Sequence, residues 1–126
     1  MVVWYGFGMD YILGAHDSRP WGTWRVVHVG EGCVVKEILV RAGEVLSLQR
    51  HKYRGEHWII IKGEATVTRG EKVKICPANT SVFIERGMWH RVQNDGRGDL
   101  VFIEIQTGEI LDEDDIERKE DRYGRR

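Results

Sequence analysis

Only two cysteines occur in the 126 residues, Cys33 and Cys76, and they lie far apart in strand-like runs. That scarcity excludes a scaffold stapled by disulfides. The pair reads as two buried thiols in a reducing compartment, which makes the cytoplasm the expected location. No sign of charge dominates either, since 19 basic and 20 acidic side chains leave a formal net charge of −1. Neither a nucleic-acid partner nor a membrane surface is expected of such a balance. The segment from Met1 to Gly14 is apolar, but it lacks a basic start and includes Asp10. It therefore reads as neither a signal peptide nor a spanning helix. Internal repeats and low-complexity linkers are missing, and helical periodicity is scarce.

What is present is a succession of short β-branched and aromatic runs: 24–29, 33–40, 58–62, 65–68, 73–76, 81–84 and 100–106. Turn signals punctuate them, among them Ala42-Gly43, Lys62-Gly63, Arg69-Gly70, Arg86-Gly87 and Asp95-Gly96. Many short strands at such intervals predict an all-β sandwich or barrel. The length suits one domain with a real core. Residues 1–18 read as an N-terminal arm and 19–126 as the domain. The last stretch, from Asp112, is dense in both charge signs and reads as a short helix or an ordered tail. Asp112 to Asp115 would then be a solvated helix start, where negative charge suits the dipole.

Within this β pattern four residues stand out: Gln49, His51, Glu56 and His90. Gln49 and His51 are two apart, so on an extended segment they share a face. Glu56 follows after a short loop, and His90 arrives on a later run. An amide oxygen, a carboxylate and two imidazoles form a mixed N/O donor set suited to a divalent first-row metal. Either histidine alone would read as an ordinary side chain; the company of Gln49 and Glu56 is what marks them. His57 points to the opposite face of its run, and His16 and His28 have no partners in sequence, so these three read as structural or solvated. Trp21, Trp24, Trp58 and Trp89 read as core or rim packing, with Trp58 and Trp89 flanking ligands.

The glycine frame around the quartet is regular: Gly43, then Gln49, His51, Glu56 and Gly63, and later Gly87, His90 and Asn94. These two motifs resemble the signatures of the cupin superfamily, which implies a double-stranded β-helix, a jelly-roll barrel with a metal in its mouth. The chain departs from that pattern in having Gln49 where a histidine is usual, and Asn79 and Glu85 where the second motif usually has Gly and Pro. A narrower resemblance runs from Arg19 to Arg125. It is carried by Arg19-Pro20-Trp21-Gly22, Leu46-Ser47-Leu48-Gln49, Glu56-His57-Trp58, His90-Arg91, Ile103-Glu104, Gln106 and Glu113-Asp114-Asp115-Ile116, closing with Tyr123-Gly124-Arg125. In that order they resemble the type II mannose-6-phosphate isomerase domain, usually the C-terminal part of bifunctional mannose-1-phosphate guanylyltransferases. The chain has no room for the nucleotidyltransferase half, so a free-standing isomerase domain is the expectation.

The resemblance implies interconversion of mannose 6-phosphate and fructose 6-phosphate through an enediol. A divalent ion, zinc first among manganese, cobalt, nickel or iron, would stabilise the developing oxygen charge. A proton carrier is also needed. Glu104 and Lys36 are the candidates, since strand parity allows either to face the barrel interior. A phosphate group calls for cations, for which Arg54, Arg91, Arg19 and Arg118 are the candidates, with Gln106 as a further substrate contact. Two other readings remain at this stage: a non-catalytic sugar-binding or sensor cupin that keeps the metal, and an oxygen-using iron cupin. Short β-domains with open edges often pair, so a homodimer is expected.

Overall fold

The structure, a computed structural model, describes Val2, Val3 and residues 11–124, with side chains from residue 11 onward. Residues 1 and 4–10 of the arm expected at 1–18, and the Arg125 that closes the family pattern, lie outside the described residues. In chain order the strands are β1 (Val2–Val3), β2 (Tyr11–Ile12), β3 (His16–Arg19), β4 (Gly22–Gly30), β5 (Cys33–Val40), β6 (Leu48–Arg50), β7 (Gly55–Lys62), β8 (Glu64–Arg69), β9 (Lys72–Pro77), β10 (Ser81–Ile84), β11 (His90–Gln93), β12 (Leu100–Thr107) and β13 (Glu117–Lys119). Every pairing is antiparallel. A six-stranded sheet runs β10-β7-β12-β5-β4-β3, and a five-stranded sheet runs β13-β6-β11-β8-β9. The expected all-β jelly-roll architecture is therefore what the chain adopts.

Parity explains where the core sits. Along β5 and β12 burial alternates over eight residues each. Their even positions face inward: Ile38 and Val40 from β5, Leu100 and Phe102 from β12. Trp58 and Ile60 of β7 join them, and Ala65, Val67 and Val92 close the cluster from the five-stranded sheet. A second, smaller cluster of Tyr11, Val26, Val34 and Leu111 seals the end nearer β2. Burial of such side chains contributes roughly 1.5–3 kcal/mol each.

The same inward faces become polar toward one end. Lys36 continues the buried row of β5, and Glu104 and Gln106 continue that of β12. Register then fixes their neighbours: Glu104 lies opposite Lys36 on one side and Trp58 on the other, and Gln106 lies opposite Glu56. Two glycines are demanded by the backbone. A Cβ on Gly22 would come within 1.8 Å of the Leu39 carbonyl oxygen, so only glycine lets β4 approach β5 there. Gly63 turns β7 into β8 with φ of +84°, a conformation L side chains rarely adopt.

Of the short helix or ordered tail expected from Asp112, the structure forms the ordered tail, and the helix start at Asp112–Asp115 is corrected. Among the described residues there is no helix, and Asp112–Asp115 forms a tight turn in which Asp115 N donates to Asp112 O (3.1 Å). The carboxylates do not serve a dipole, because the barrel supplies their partners. Asp115 accepts from the backbone N–H groups of Lys52 (2.7 Å) and Tyr53 (2.8 Å), and Glu113 pairs with Lys36 at 2.6 Å. The chain then enters β13, which adds itself to β6. Cys33 and Cys76 are free thiols, Cys76 buried and Cys33 half-buried at a strand end.

Candidate metal centre and its pocket

The site begins with three buried side chains. Glu56 opens β7 and His90 opens β11, while His51 follows β6 directly; their ligand atoms all lie within 4.8 Å of one another. Local hydrogen bonds set how the imidazoles are presented. His51 Nδ1 donates to the Asp115 carbonyl at 2.7 Å, and His90 Nδ1 donates to the Met88 carbonyl at 2.9 Å. A carbonyl can only accept, so Nδ1 carries a proton in both rings, which leaves Nε2 as the nitrogen that would meet a metal. That is the arrangement in which a histidine serves as a metal ligand. Gln49 is the register partner of His90 and lines the same pocket, with its amide nitrogen 3.5 Å from Ser47 Oγ. The donor set of His51, Glu56 and His90, with Gln49 beside it, fits a divalent ion of borderline character.

Glu56 is only 1 % exposed, and its charge is matched within the fold. Arg54 Nε donates to Oε2 at 2.8 Å and Trp58 Nε1 to Oε1 at 2.8 Å. Arg54 Nη2 also reaches His51 Nε2 at 3.3 Å, while His51 Nε2 and Glu56 Oε2 stand 3.1 Å apart. Burial works to raise the Glu56 carboxyl, but Arg54, His51 and His90 outweigh it and hold the group well below the usual carboxylate range. His90 is pushed down to about 4, chiefly by burial, with His51 and Arg54 adding to the shift and Glu56 opposing it.

Glu104 behaves in the opposite way. Burial first, and then the negative charge of Glu56, push its carboxyl up to about 8. Gln106 Nε2 donates to its Oε2 at 2.9 Å, and Tyr11 donates from its hydroxyl to Gln106 Oε1 at 2.8 Å. Lys36 reaches Glu113 and lies 4.6 Å from the Trp24 ring centre.

Glu56, His90, Gln49, Glu104, Lys36, Arg54, Arg19 and Arg118 all line one cavity of about 130 Å³ in the barrel mouth. Two residues expected at the site are placed elsewhere. Gln106 is fully buried beneath Glu104 and does not line the cavity. Arg91 does not line it either; it donates to the Leu46 carbonyl at 3.1 Å and to Glu120 on the C-terminal segment. Arg54 lines the pocket, yet its guanidinium is already engaged by Glu56 and His51. Arg19 stands at the rim, paired with Asp17 and 5.6 Å from the Trp24 ring centre.

Sequence reasoning missed Tyr11, Glu113, Asp115 and Ile116. Glu113 and Asp115 lie in the acidic run that a dipole argument had sent to solvent, and Ile116 follows it directly, although the family pattern passes through all three. Tyr11 carried no local signal. His57 is exposed and stacks on Phe83 with ring centres 4.6 Å apart, in keeping with its opposite-face parity.

Comparison with known proteins covers nearly all of this architecture. The family model described as mannose-6-phosphate isomerase C-terminal matches residues 12–121. The xanthan biosynthesis protein XanB of Xanthomonas campestris pv. campestris is 49% identical over 107 residues, 85% of this chain and 23% of that protein. Mannose-1-phosphate guanylyltransferase ManC of Salmonella typhimurium is 45% identical over 107 residues, covering 85% of this chain and 22% of the relative. The chain thus spans about a quarter of the length of these curated relatives. Among solved structures, a cupin-2 domain from Rhodospirillum rubrum superposes with a TM-score of 0.72 over 90% of this chain and 81% of its own, at 18% identity, which speaks to the fold alone.

Proposed function

The chain belongs to the mannose-6-phosphate isomerase C-terminal family and has the cupin fold, and from that premise we propose that it interconverts mannose 6-phosphate and fructose 6-phosphate with a divalent metal ion. The observation that carries the reading is the position of Glu104. A carboxyl raised to about 8 borders a buried His-Glu-His cluster at the floor of a pocket edged by cations. A group that must take a proton and return it works best when its pKa lies near the operating pH.

In this reading His51, Glu56 and His90, with Gln49, hold the ion. When bound, it supplies Lewis-acid stabilisation of the charge that develops on the substrate oxygens. Zinc is the first expectation, and manganese, cobalt, nickel or iron suit the same donors. Glu104 removes the C2 proton of the aldose and delivers it to C1 of the enediol. Lys36, held by Glu113, serves the proton shift between the two oxygens. Arg118 and Arg19 at the rim take the phosphate. Arg91 is committed to the C-terminal segment and leaves this role. Two free thiols support a reducing cytoplasmic setting. A second copy of the chain is the expected partner, through strands such as β9 and β10 that end their sheets; sedimentation velocity separates a dimer from a monomer.

A specific observation favours one competing reading. Arg54 already bridges Glu56 and His51, so charge balance alone does not require a metal. A sugar-phosphate-binding module without turnover would be stabilised by ligand yet leave the C2 hydrogen unexchanged. The deciding experiment is a coupled assay for fructose 6-phosphate with metal-loaded and chelated protein, run beside a deuterium-exchange measurement at C2. Turnover that vanishes with chelator supports the isomerase. Neither turnover nor exchange from metal-loaded protein rejects it.

A further inference from the structure

We propose that Tyr11 is a positioning residue for the proton-carrying carboxyl of Glu104, acting through the amide of Gln106. The inference rests on the isomerase reading above and extends it to a side chain that the family match, which begins at residue 12, does not include. Tyr11 is 2 % exposed, and its hydroxyl sits 2.8 Å from Gln106 Oε1. A side-chain amide has one accepting and one donating end. With the phenol donating to Oε1, Gln106 presents its NH₂ to Glu104, at 2.9 Å from Oε2. The reverse orientation would set a carbonyl oxygen against Glu104 in the ionised form that a base must adopt.

The contact therefore does two things. It fixes which end of the amide meets Glu104, and through that N–H it restrains rotation of the carboxyl group. Proton transfer to carbon depends steeply on such alignment. The ring of Tyr11 also faces the second proton-handling group, with Lys36 Nζ 5.4 Å from its centre. One side chain from the N-terminal segment thus touches Lys36 and, through Gln106, restrains Glu104.

Tyr11→Phe keeps the ring and removes only the hydroxyl. The expected result in full-length, metal-loaded protein is a fall in kcat of about tenfold with KM and bound metal unchanged. Gln106→Ala should fall at least as far. The double variant should be no slower than Gln106→Ala alone, because both changes break one chain of contacts. Losses that instead multiply would assign Tyr11 to general packing and overturn the inference, as would an unchanged kcat in Tyr11→Phe. A second measurement is independent of turnover: proton exchange of the Gln106 side-chain NH₂ by NMR should quicken in Tyr11→Phe. Unchanged exchange in an active protein sinks the Tyr11 inference alone. Wild-type protein inactive on every sugar phosphate removes the isomerase reading, and with it the catalytic part assigned to Tyr11.

Discussion

Glu104 and Glu56 are two buried carboxyls driven in opposite directions, and the difference is made by partners. Arg54 serves Glu56, while Glu104 faces the charge of Glu56 and has a neutral amide beside it. Glu104→Gln should keep the shape and bound metal and lower kcat by about 10²–10⁴-fold, as loss of a general acid–base does; the coupled assay with metal analysis checks both. Arg54→Ala should leave Glu56 as an unmatched buried charge and cost about 3–5 kcal/mol in metal-free protein. Urea denaturation measures that loss, and added metal should recover part of it by restoring positive charge. Stability of the metal-free protein should also depend on pH. Glu104 is raised from 4.5 to about 8, so the folded state keeps a proton that the unfolded chain releases, and stability falls as pH rises across that interval. His90 is lowered from 6.5 to about 4, so between those values it acts the other way. Glu56, held below 4.5, likewise favours folding as pH rises on the acid side. Above pH 6.5 these two are spent and Glu104 acts alone. Urea midpoints of chelated protein should decline from pH 6.5 to 8, and Glu104→Gln should flatten the decline.

At the scale of elements, the C-terminal strap from Asp112 to Lys119 builds one wall of the pocket. Its turn is tied down by Asp115, and its strand β13 is paired with β6. Asp115→Ala removes the acceptor of two backbone N–H groups and should cost roughly 1.5–3 kcal/mol. It should raise KM more than it lowers kcat, since Ile116 and Arg118 would lose their place at the mouth; steady-state kinetics and thermal melts test this. The strap also shows what could be read from the sequence. Strands such as β5, β7 and β12 were legible because β-branched residues alternate or cluster along them. The short strands β6, β11 and β13 carry Gln49, His90 and Arg118 in place of apolar side chains, so the alternation that marks a strand is missing where the site is. Gln49, His51 and Glu56 were legible because their spacing is local, on and between β6 and β7, whereas His90 opens the distant β11 and was marked by its own glycine frame. The partners of Asp115 and Glu113 lie more than sixty positions away, beyond any local pattern.

For the whole molecule, the two sheets divide the work. The six-stranded sheet supplies Lys36, Glu56 and Glu104, and the five-stranded sheet supplies Gln49, His90 and Arg118. Trp58 joins the parts, packing in the core while its indole holds Glu56. The pocket wall draws on residues from Arg19 to Arg118, and its last strand, β13, is also the last strand among the described residues. Wherever β13 is peeled from β6, His51 stands to lose the Asp115 carbonyl that orients it, so the aim of one imidazole in the barrel mouth is tied to the docking of a strap more than sixty positions away.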